Sequence, residues 1–367
     1  MTCIRNSIFT TRRSPHSIYN LLFIILLFGH SSLVAALGSQ EAENRVRYEA
    51  SHESMGTVFT VAVYGQERSF LAEVVEQVFE EVDRLDEQMS NYKPDSELSA
   101  INREAASHPA VVEPGLFHLL EISVHRSEET DGAFDITVGP LIKSWGFFRG
   151  RGRLPTGAEI SQVLKRVGYQ HLKLDAEHRT IRFDDPGIDL DLGGIAKGYA
   201  VDRAVDILRS NGITSALVSS GTSSIYALGS PPGARGWKIT VRDPYDGHKP
   251  ADVIHLQNYS LSTSGSYEKF FRIGGKNYCH IMNPHTGWPV QGVLSTVVLA
   301  ATGTDTDGRS AGCFVMGVER TRKYLAAHPN IAVIFYLPTE APAKYKRILL
   351  RSDSYGLPAD SIVEIDR

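Results

Sequence analysis

Two glycines near the middle of the chain separate an alternating segment from a helical one, in the sequence IDLDLGGIAKGYAVDRAV at residues 188–205. Isoleucine and leucine alternate with aspartate before the glycines, which predicts a strand, whereas the apolar residues after them recur at helical spacing. Glycines at such a turn let a ligand approach the backbone, and the first turn of the helix presents unpaired N–H groups and a positive dipole end. These residue types favour an anion at Gly193 and Gly194, although a tight strand–helix connection would use the same glycines.

Two further segments, residues 262–287 and 302–311, combine glycine, hydroxyl, aspartate and histidine residues outside any amphipathic pattern. Asp307 falls near a predicted helix start, where an aspartate usually serves as a cap but could also bind a hard cation. Mg²⁺ prefers oxygen ligands, often one or two carboxylates, with water and substrate phosphate completing its coordination. GxxxxGK[ST] is absent and GGIAKG lacks the GxGxxG spacing, so neither a P-loop nor a dinucleotide fold is indicated. The residues indicate a magnesium-bound diphosphate on an aromatic ligand.

The N-terminal segment has the organisation of an export signal. Three arginines precede the apolar run LLFIILLFG at residues 21–29, and small residues follow up to Ala36. This pattern predicts a signal peptide over residues 1–36, cleaved near Ala36, and a polar leader over residues 37–52. An uncleaved anchor is the alternative, but the apolar core is half of the ~20 residues that a spanning helix needs. We therefore expect an exported protein.

The composition is that of an ordinary globular protein, with 367 residues, 42% of them hydrophobic and 22% charged, and a formal net charge of −4. Because there are no blocks of lysine and arginine, the chain lacks the electrostatic footprint of nucleic-acid binding, and we exclude nucleic acid as a partner. Cys279 and Cys313 follow the predicted signal, and an oxidising compartment would permit either a disulfide or two buried thiols. Their spacing indicates no zinc site.

Hydrophobic periodicity predicts strands and helices mixed along the chain. A strand is predicted over Met55–Gly65, amphipathic helices over Arg68–Ser90 and Pro114–Thr130, and a hairpin over Leu172–Asp184. More strands are predicted toward the C-terminus, with neither a repeat nor a linker between them. We therefore predict an α+β fold in which residues 53–367 form one large domain whose lobes share a core.

Six segments of the chain, taken in order, resemble one known family. They are MGT at 55–57, SNYKPDSELSAIN at 90–102, GAFDITVGPL at 132–141, DLGGIAKGYAVD at 191–202, TSGSYEKFF at 263–271 and HIMNPHTGWPV at 280–290. Each motif alone is weakly specific, but the six in register resemble the ApbE family of FAD:protein FMN transferases, once called thiamine biosynthesis lipoproteins. The resemblance implies an α+β domain of two intertwined lobes, with mixed or antiparallel sheets and flanking helices.

The same resemblance implies an activity. Such an enzyme splits FAD in a magnesium-dependent reaction, transfers the FMN moiety to a threonine hydroxyl of an acceptor protein, and releases AMP. It would work in the bacterial periplasm or at the outer face of the inner membrane, with a flavin-carrying subunit of a membrane redox complex as the acceptor. Positioning and charge neutralisation carry most of the catalysis in phosphoryl-type transfers.

The resemblance also assigns site residues, at the positions that match the family motifs. The implied FAD-binding residues are Met55, Tyr92, Ala133, Phe134, Asp135, Asp191, Lys197 and Ile281. Tyr92 would stack on an aromatic ring of FAD, and Asp191 would hydrogen-bond a ring or ribose group. His280 would be the general base that takes the proton of the threonine hydroxyl, which requires a pKa near the working pH.

The implied metal site is where the sequence departs from the family pattern. Gly194 matches a position whose backbone carbonyl contacts the metal, and Asp307 matches the catalytic metal carboxylate. The family has a threonine ligand four residues later, but TDGRSAGCFVMG places Ala311 there. Ser310 is the nearest hydroxyl in this metal-site segment, yet one residue along a helix is about 100° around its axis, so Ser310 cannot simply take over. Water could fill the position, because Mg²⁺ commonly retains several.

These departures leave alternative functions open. Besides Ala311, the segment VSSGTSSIYALG at residues 218–229 has Thr222, Ser223 and Ser224 where the family tends to have Gly-Gly-Asp or Gly-Gly-Asn. An active FMN transferase is the leading hypothesis. The alternatives are a catalytically weak FAD-binding protein or flavin chaperone, and a metal-dependent FAD hydrolase that yields FMN and AMP.

Overall fold

The computed structural model describes residues 45–351 and 362–365, without the side chains of Arg149 and of residues 362–365. The signal peptide predicted for residues 1–36 and the first part of the predicted leader lie outside these ranges. Within them, no helix is both long and apolar enough to cross a membrane.

The described residues form seven α-helices and sixteen β-strands. The helices are α1 (Arg68–Met89), α2 (Glu97–Glu104), α3 (Pro114–Glu129), α4 (Gly139–Ser144), α5 (Gly157–Val163), α6 (Ala196–Ser210) and α7 (Gly303–Leu325). The strands are β1 (Val46–Ser54), β2 (Thr57–Gly65), β3 (Ala110–Val111), β4 (Leu172–Asp175), β5 (Thr180–Phe183), β6 (Ala216–Ser220), β7 (Ser224–Leu228), β8 (Trp237–Arg242), β9 (Pro250–Gln257), β10 (Tyr259–Gly265), β11 (Phe270–Ile273), β12 (Lys276–Cys279), β13 (Ser295–Ala300), β14 (Ala332–Pro338), β15 (Tyr345–Arg351) and β16 (Ile362–Ile365).

The strands form four antiparallel sheets. The largest has eight strands in the order β1-β2-β6-β7-β10-β13-β14-β15. Smaller sheets have the orders β16-β9-β8, β3-β5-β4 and β11-β12. The predicted α+β class is confirmed, as are the hairpin, now β4 and β5, and the two amphipathic helices, now α1 and α3.

The eight-stranded sheet is covered on both faces. Because side chains alternate between the faces of a strand, neighbouring residues enter different cores. On β2, Val61 packs in an apolar cluster with Val78 of α1, and the same cluster includes residues of α6. Its neighbour Ala62 packs with Ile239 of β8 in a second cluster. The helices therefore cover one face of the sheet and the β8–β9 pair covers the other.

One side of helix α1 is apolar, and this side packs on the sheet. Its buried residues include Leu71, Val75, Val78, Val82 and Leu85. These recur at intervals of three or four residues, which places them on one side of the helix. That side packs on β1, β2 and α6, so the amphipathic pattern in the sequence determined both the helix and its orientation.

The polar leader predicted for residues 37–52 includes a strand that the sequence pattern did not reveal. β1 pairs with β2 in an antiparallel hairpin that closes at Ser54 and Thr57. It is the edge strand of the large sheet, and most of its residues are exposed or half-buried. A strand in contact with one neighbour and one core face has a largely polar composition. The domain boundary predicted between residues 52 and 53 therefore falls inside this hairpin.

Residues 188–192, predicted as a strand, join none of the sheets in the described part of the chain. Ile188, Leu190 and Leu192 are buried in alternation, as the period-2 pattern predicts. The side chain of Asn102 pairs with the backbone instead. Its Oδ1 accepts from the Leu190 N–H at 2.8 Å, and its Nδ2 donates to the Leu190 carbonyl at 3.1 Å. The strand prediction was wrong because a side-chain amide replaces a neighbouring strand.

The cysteines at 279 and 313 are both buried and free. Burial raises the pKa of the Cys279 thiol to about 11 and that of the Cys313 thiol to about 12. Thiols of such high pKa are protonated at neutral pH and behave as small apolar groups. Of the two alternatives left by the sequence, the structure has the pair of buried thiols.

Two glycines bring the first turns of α6 and α7 into contact. A Cβ on Gly198 would lie 2.6 Å from the Cβ of Asp307 and would collide with the carbonyl oxygen of Gly303. A Cβ on Gly303 would in turn lie 2.5 Å from the Gly198 carbonyl oxygen. Side chains cannot be accommodated at these distances, so the close approach of the two helices requires glycine at both positions.

Asp202 of α6 caps the first turn of α7. One carboxylate oxygen accepts from the Gly303 N–H at 2.6 Å. The other accepts from the N–H and the hydroxyl of Thr304 at 2.8 and 2.6 Å. These bonds satisfy N–H groups that have no partner within their own helix. Burial raises the pKa of Asp202 to about 6.

The contact between α6 and α7 predicts a sharp response to one added methyl group. Gly198→Ala should lower the free energy of unfolding by about 1–3 kcal/mol, because the new Cβ overlaps backbone atoms that cannot move independently. Gly157→Ala, at the start of α5, is the matched control, since an added Cβ there meets nothing within 4 Å. Urea denaturation of the two variants measures the difference. Equal midpoints for Gly198→Ala and the wild type would contradict this account of the contact.

Candidate functional site

Asp307 of α7 lies at the N-terminal end of α6. Its Oδ2 accepts a hydrogen bond from the Gly198 N–H at 2.9 Å, and the residue is 4% exposed. Within the described ranges, no lysine or arginine forms an ion pair with it. A buried carboxylate with a single N–H donor and no cation is incompletely neutralised. A bound metal ion would supply the missing positive charge.

The sequence predicted an anion at the start of α6, and the Asp307 carboxylate of the protein itself takes part of that position. The N–H groups of Ile195 and Ala196 donate to the Leu192 carbonyl at 3.0 and 2.8 Å. Gly198 donates to Asp307, as described above. These three N–H groups at the start of α6 already have acceptors, so an external anion would meet the turn through a metal ion or a side chain rather than through these groups.

The glycine turn before α6 faces the second half of the implied metal site. A Cβ on Gly194 would lie 3.7 Å from the Cβ of Ala311 and 3.4 Å from the ring of Phe134. Asp307 and Ala311 are four residues apart on α7 and so share one side of that helix. The structure thus brings together Gly194, Asp307 and Ala311, and the methyl group of Ala311 offers no oxygen to the space between them.

The hydroxyl of Ser310 has a different environment, which corrects its place in the predicted metal set. Its Oγ hydrogen-bonds with the Oγ of Ser264 on β10 at 2.8 Å and donates to the Asp307 carbonyl at 2.9 Å. Ser310 is fully buried where α7 packs on the sheet. The hydroxyl joins α7 to β10 and is not presented to Gly194, as expected from its rotation around the helix.

Asp191 is fixed beside the glycine turn by two donors. Its Oδ1 accepts from the Gly193 N–H at 2.8 Å, and its Oδ2 accepts from the Asn91 amide at 3.0 Å. The second bond joins the turn to the loop that carries Tyr92. Burial, together with the charge of Asp191, raises the pKa of the Tyr92 phenol. Two of the implied FAD-binding residues are therefore neighbours.

The aromatic ring of Tyr92 already has a stacking partner. It lies parallel to the Phe148 ring, with 4.5 Å between the centroids and 9° between the planes. The Lys143 ammonium lies 5.1 Å from the centroid of Phe148. Tyr92 is nevertheless 56% exposed. An aromatic ligand could stack on the exposed part of Tyr92 while Phe148 supports the ring from behind.

Of residues 133–135, Phe134 lies beside the glycine turn. Ala133 and Phe134 are buried, and Phe134 approaches Gly194 as described above. The Asp135 carboxylate accepts from the N–H and hydroxyl of Thr137 at 2.8 and 2.6 Å, and from the Tyr169 N–H at 2.8 Å. Burial raises the pKa of Asp135. Its side chain shapes the local backbone, and binding of FAD by this segment stays a prediction.

His280 lies in a small cluster with Lys197 and Lys269, whose ammonium groups supply the positive charge. The Lys197 ammonium donates to the Gly193 carbonyl at 3.2 Å, which places it at the glycine turn. The Nδ1 of His280 lies 3.1 Å from the Lys269 carbonyl oxygen, and the His280 N–H donates to the same oxygen at 3.0 Å. Burial, together with the charges of Lys197 and Lys269, lowers the pKa of His280 to about 4. The imidazole is therefore neutral at pH 7.

The two remaining implied FAD-binding residues are apolar. Met55 occupies the β1–β2 turn with a φ of 51°, is half-buried, and packs against the apolar cluster that contains Phe134. Ile281 follows His280, is half-buried, and accepts from the Val290 N–H at 3.0 Å. Both positions offer apolar surface, and their contact with FAD stays a prediction.

The donor set suits a hard cation with few protein ligands. In residues 45–351 and 362–365, no three His, Cys, Asp or Glu side chains converge as a metal-binding group. What the site offers is the Asp307 carboxylate and the backbone at Gly194. Mg²⁺ commonly takes one or two carboxylates and completes its shell with water and phosphate oxygens, so these residues fit it.

Several residues that build this site were not identified from the sequence. Asn91 and Asn102 orient the segment before the glycine turn, Asp202 caps α7, Phe148 supports Tyr92, and Lys269 accompanies His280. All but Phe148 fall inside motifs noted above, so their positions were marked although their roles were not. Phe148 lies after α4, outside all six motifs, and had no periodic signal.

Comparison with known proteins places the chain in a family. Residues 55–335 match the model of the ApbE family. The FAD:protein FMN transferase of Treponema pallidum (strain Nichols) is 33% identical over 325 residues, which covers 83% of this chain and 89% of that protein.

Solved structures agree with this placement. The ApbE protein of Thermotoga maritima superposes with a TM-score of 0.76 at 31% identity, covering 84% of this chain and 98% of that one. The flavin transferase ApbE from Vibrio cholerae superposes with a TM-score of 0.73 at 30% identity, covering 85% and 98%. The resemblance carried by the six motifs is confirmed. The chain belongs to the ApbE family, and its relatives at this level of similarity include FAD:protein FMN transferases.

Proposed function

We propose that this chain is a FAD:protein FMN transferase that moves the FMN moiety of FAD to a threonine hydroxyl of an acceptor protein and releases AMP. The observation that carries the proposal is the incompletely neutralised Asp307 carboxylate at the Gly194 turn, close to the Lys197 and His280 cluster. A site with one buried carboxylate and flanking cations suits a diphosphate that is bound with a metal ion.

The reaction joins the threonine oxygen to the phosphorus of the FMN half. As that P–O bond forms, the bond from this phosphorus to the bridging oxygen breaks, and AMP leaves with the bridging oxygen. His280 is neutral and accepts the hydroxyl proton at its free ring nitrogen, while Nδ1 lies against the Lys269 carbonyl. Lys197 and Lys269 oppose the negative charge of the diphosphate.

Asp307 and the backbone carbonyl at Gly194 would hold Mg²⁺. When bound, the ion would neutralise charge on the diphosphate and orient its oxygens. The chain itself fixes where this happens, because Gly198 holds Asp307 against the start of α6 and Phe134 closes the far side of the turn.

We also propose that the protein works outside the cytoplasm, in the bacterial periplasm or at the outer face of the inner membrane. The export signal predicted over residues 1–36 supports this location. The acceptor would be a flavin-carrying subunit of a membrane redox complex, which would bring the enzyme close to the inner membrane. This assignment rests on the family resemblance.

Incubation of the mature chain with FAD, Mg²⁺ and a threonine-containing acceptor peptide tests the proposed function. We expect the peptide to gain the mass of FMN minus water, with one AMP released per modified peptide, and both to require the metal. Mass spectrometry of the peptide and chromatography of AMP measure the two products. Release of AMP from an unmodified peptide would support the FAD hydrolase instead, and bound FAD with neither product would support the flavin-binding protein.

The proposed metal site can be tested by weakening one ligand and by adding another. Asp307→Asn keeps an oxygen for the Gly198 N–H but removes the charge, and should lower kcat by about 100-fold or more while FAD affinity changes less. Ala311→Thr adds a hydroxyl beside Gly194 and should lower the Mg²⁺ concentration needed for half-maximal activity. Asp206→Asn, an exposed carboxylate change on α6, is the control. Unchanged magnesium titrations in both site variants would remove Asp307 from the metal site.

The low pKa of His280 predicts how the transferase activity should depend on pH. A general base must be unprotonated, so kcat/KM, which reports the free enzyme, should fall only as the pH drops toward 4. The negative charge of a bound diphosphate offsets the positive charges of the two lysines and raises the pKa of the imidazole. The fall in kcat should therefore occur at a higher pH than the fall in kcat/KM. Lys197→Met should shift the acid limb of kcat/KM upward, whereas Lys165→Met, on an exposed turn, should not. If His280→Ala transfers FMN at the wild-type rate, the histidine is structural.

A further inference from the structure

A second concavity lies on the face of the large sheet opposite α6 and α7. It is a cavity of about 250 Å³ between β8 and the strands β6, β7 and β10. Its lining consists of apolar, hydroxyl and basic residues from four strands, from the turn between β6 and β7 and from the turn after β10. None of the residues assigned above to FAD, to the metal or to proton transfer lines it.

The floor of this cavity is one face of three adjacent strands. Ser219, Ile225 and Leu261 stand opposite one another across β6, β7 and β10, and all three line the cavity. The next residue on β10, Ser262, points to the other face and hydrogen-bonds with Thr306 of α7 at 2.8 Å. The cavity and the flavin site are therefore separated by the thickness of the sheet.

The wall of the cavity is the free edge of a small sheet. β8 is the last strand of the order β16-β9-β8, so it pairs with β9 on one side alone within the described residues. Five consecutive residues, Lys238 to Arg242, line the cavity. Since alternate side chains of a strand point to opposite faces, consecutive lining residues mean that the cavity runs along the backbone edge. An antiparallel edge strand presents N–H and C=O groups that a further strand can pair with.

The edge also carries positive charge without an internal partner. Lys238 and Arg242 are exposed, and neither forms an ion pair with another residue in the described part of the chain. Thr222 and Thr240 add hydroxyl groups to the same lining. A segment with carboxylate side chains would find complementary charge here.

A short turn connects this cavity to the proposed active site. Tyr267 lines the cavity, and Lys269, two residues later, holds the backbone and the ring of His280 through its carbonyl oxygen. At about 3.4 Å per residue, roughly 7 Å of chain separates Tyr267 from Lys269. Glu268 fixes the turn by accepting from the Thr222 hydroxyl at 3.2 Å. An extended segment lying in the cavity could therefore reach His280 around the end of the sheet within a few residues.

We propose that an extended, carboxylate-bearing segment of the acceptor protein binds along β8 as an added strand, with its threonine reaching His280 around the Ser266–Lys269 turn. This inference rests on the proposed function, because it names how the acceptor docks. Backbone hydrogen bonds to β8 would hold the segment, and Lys238 and Arg242 would select acidic side chains. The cavity, whose lining includes none of the residues assigned to FAD, thereby acquires a role.

Hydrogen exchange with a synthetic peptide tests the docking without any chemistry. The probe is a twelve-residue peptide with one threonine and two aspartates on its N-terminal side. With FAD-loaded enzyme and saturating peptide, amide exchange in residues 237–242 should slow. The same peptide carrying alternate N-methylated backbone amides should protect this strand at least about tenfold less. Equal exchange of residues 237–242 with and without the unmethylated peptide would overturn the proposal.

Charge variants test the selectivity. The double variant Lys238→Glu, Arg242→Glu should raise the KM for the peptide about three- to tenfold at low salt, and the KM for FAD should stay unchanged. Lys346→Glu, an exposed lysine on β15, is the matched control. An unchanged peptide KM in the double variant would overturn the charge selection. Because exchange protection needs no turnover, protection of β8 without FMN transfer would contradict the proposed function and leave the docking supported.

Discussion

The structure depends on the contact between the first turns of α6 and α7. Gly198 and Gly303 allow the two backbones to approach more closely than any side chain would permit. Each helix then supplies a carboxylate to the start of the other: Asp202 of α6 to Gly303 and Thr304, and Asp307 of α7 to Gly198. The exchange satisfies N–H groups that helix geometry leaves unpaired. It also explains why the Asp307 carboxylate, the proposed metal ligand, is so deeply buried.

The rotation of α7 about its axis is fixed by hydroxyl groups on the sheet. Thr306 hydrogen-bonds with Ser260 and Ser262 of β10, at 3.0 and 2.8 Å, and Ser310 hydrogen-bonds with Ser264. These residues are on the side of α7 that faces the sheet. Once they are bonded, Asp307 and Ala311 can face only toward the Gly194 turn. A buried, fully paired hydroxyl row is directional, whereas apolar packing alone would allow the helix to rotate.

Two groups of the candidate site, Asp307 and His280, lie in electrostatically unbalanced surroundings. Asp307 is a buried carboxylate with no lysine or arginine partner among the residues that the structure describes, and His280 is an imidazole kept neutral by burial and by two lysines. In the function proposed above, a diphosphate with its metal ion would balance both groups: the metal would pair with the carboxylate, and the phosphate oxygens would pair with Lys197 and Lys269. In the proposed metal site, the absence of a side-chain oxygen at Ala311 would leave one position to water, which Mg²⁺ tolerates well.

The sequence by itself determined the local features. Periodicity predicted α1, α3 and the β4–β5 hairpin because these depend on side chains a few residues apart. The six sequence motifs likewise contain most of the candidate site residues. Tertiary structure decided the rest, because the contacts join distant parts of the chain: Asn102 replaces a strand for Leu190, 88 residues away, and Asp307 meets Gly198 across 109 residues. No local pattern records such pairings, and they decide that the Asp307 carboxylate lies at the start of α6 and that the Ser310 hydroxyl bonds to the sheet.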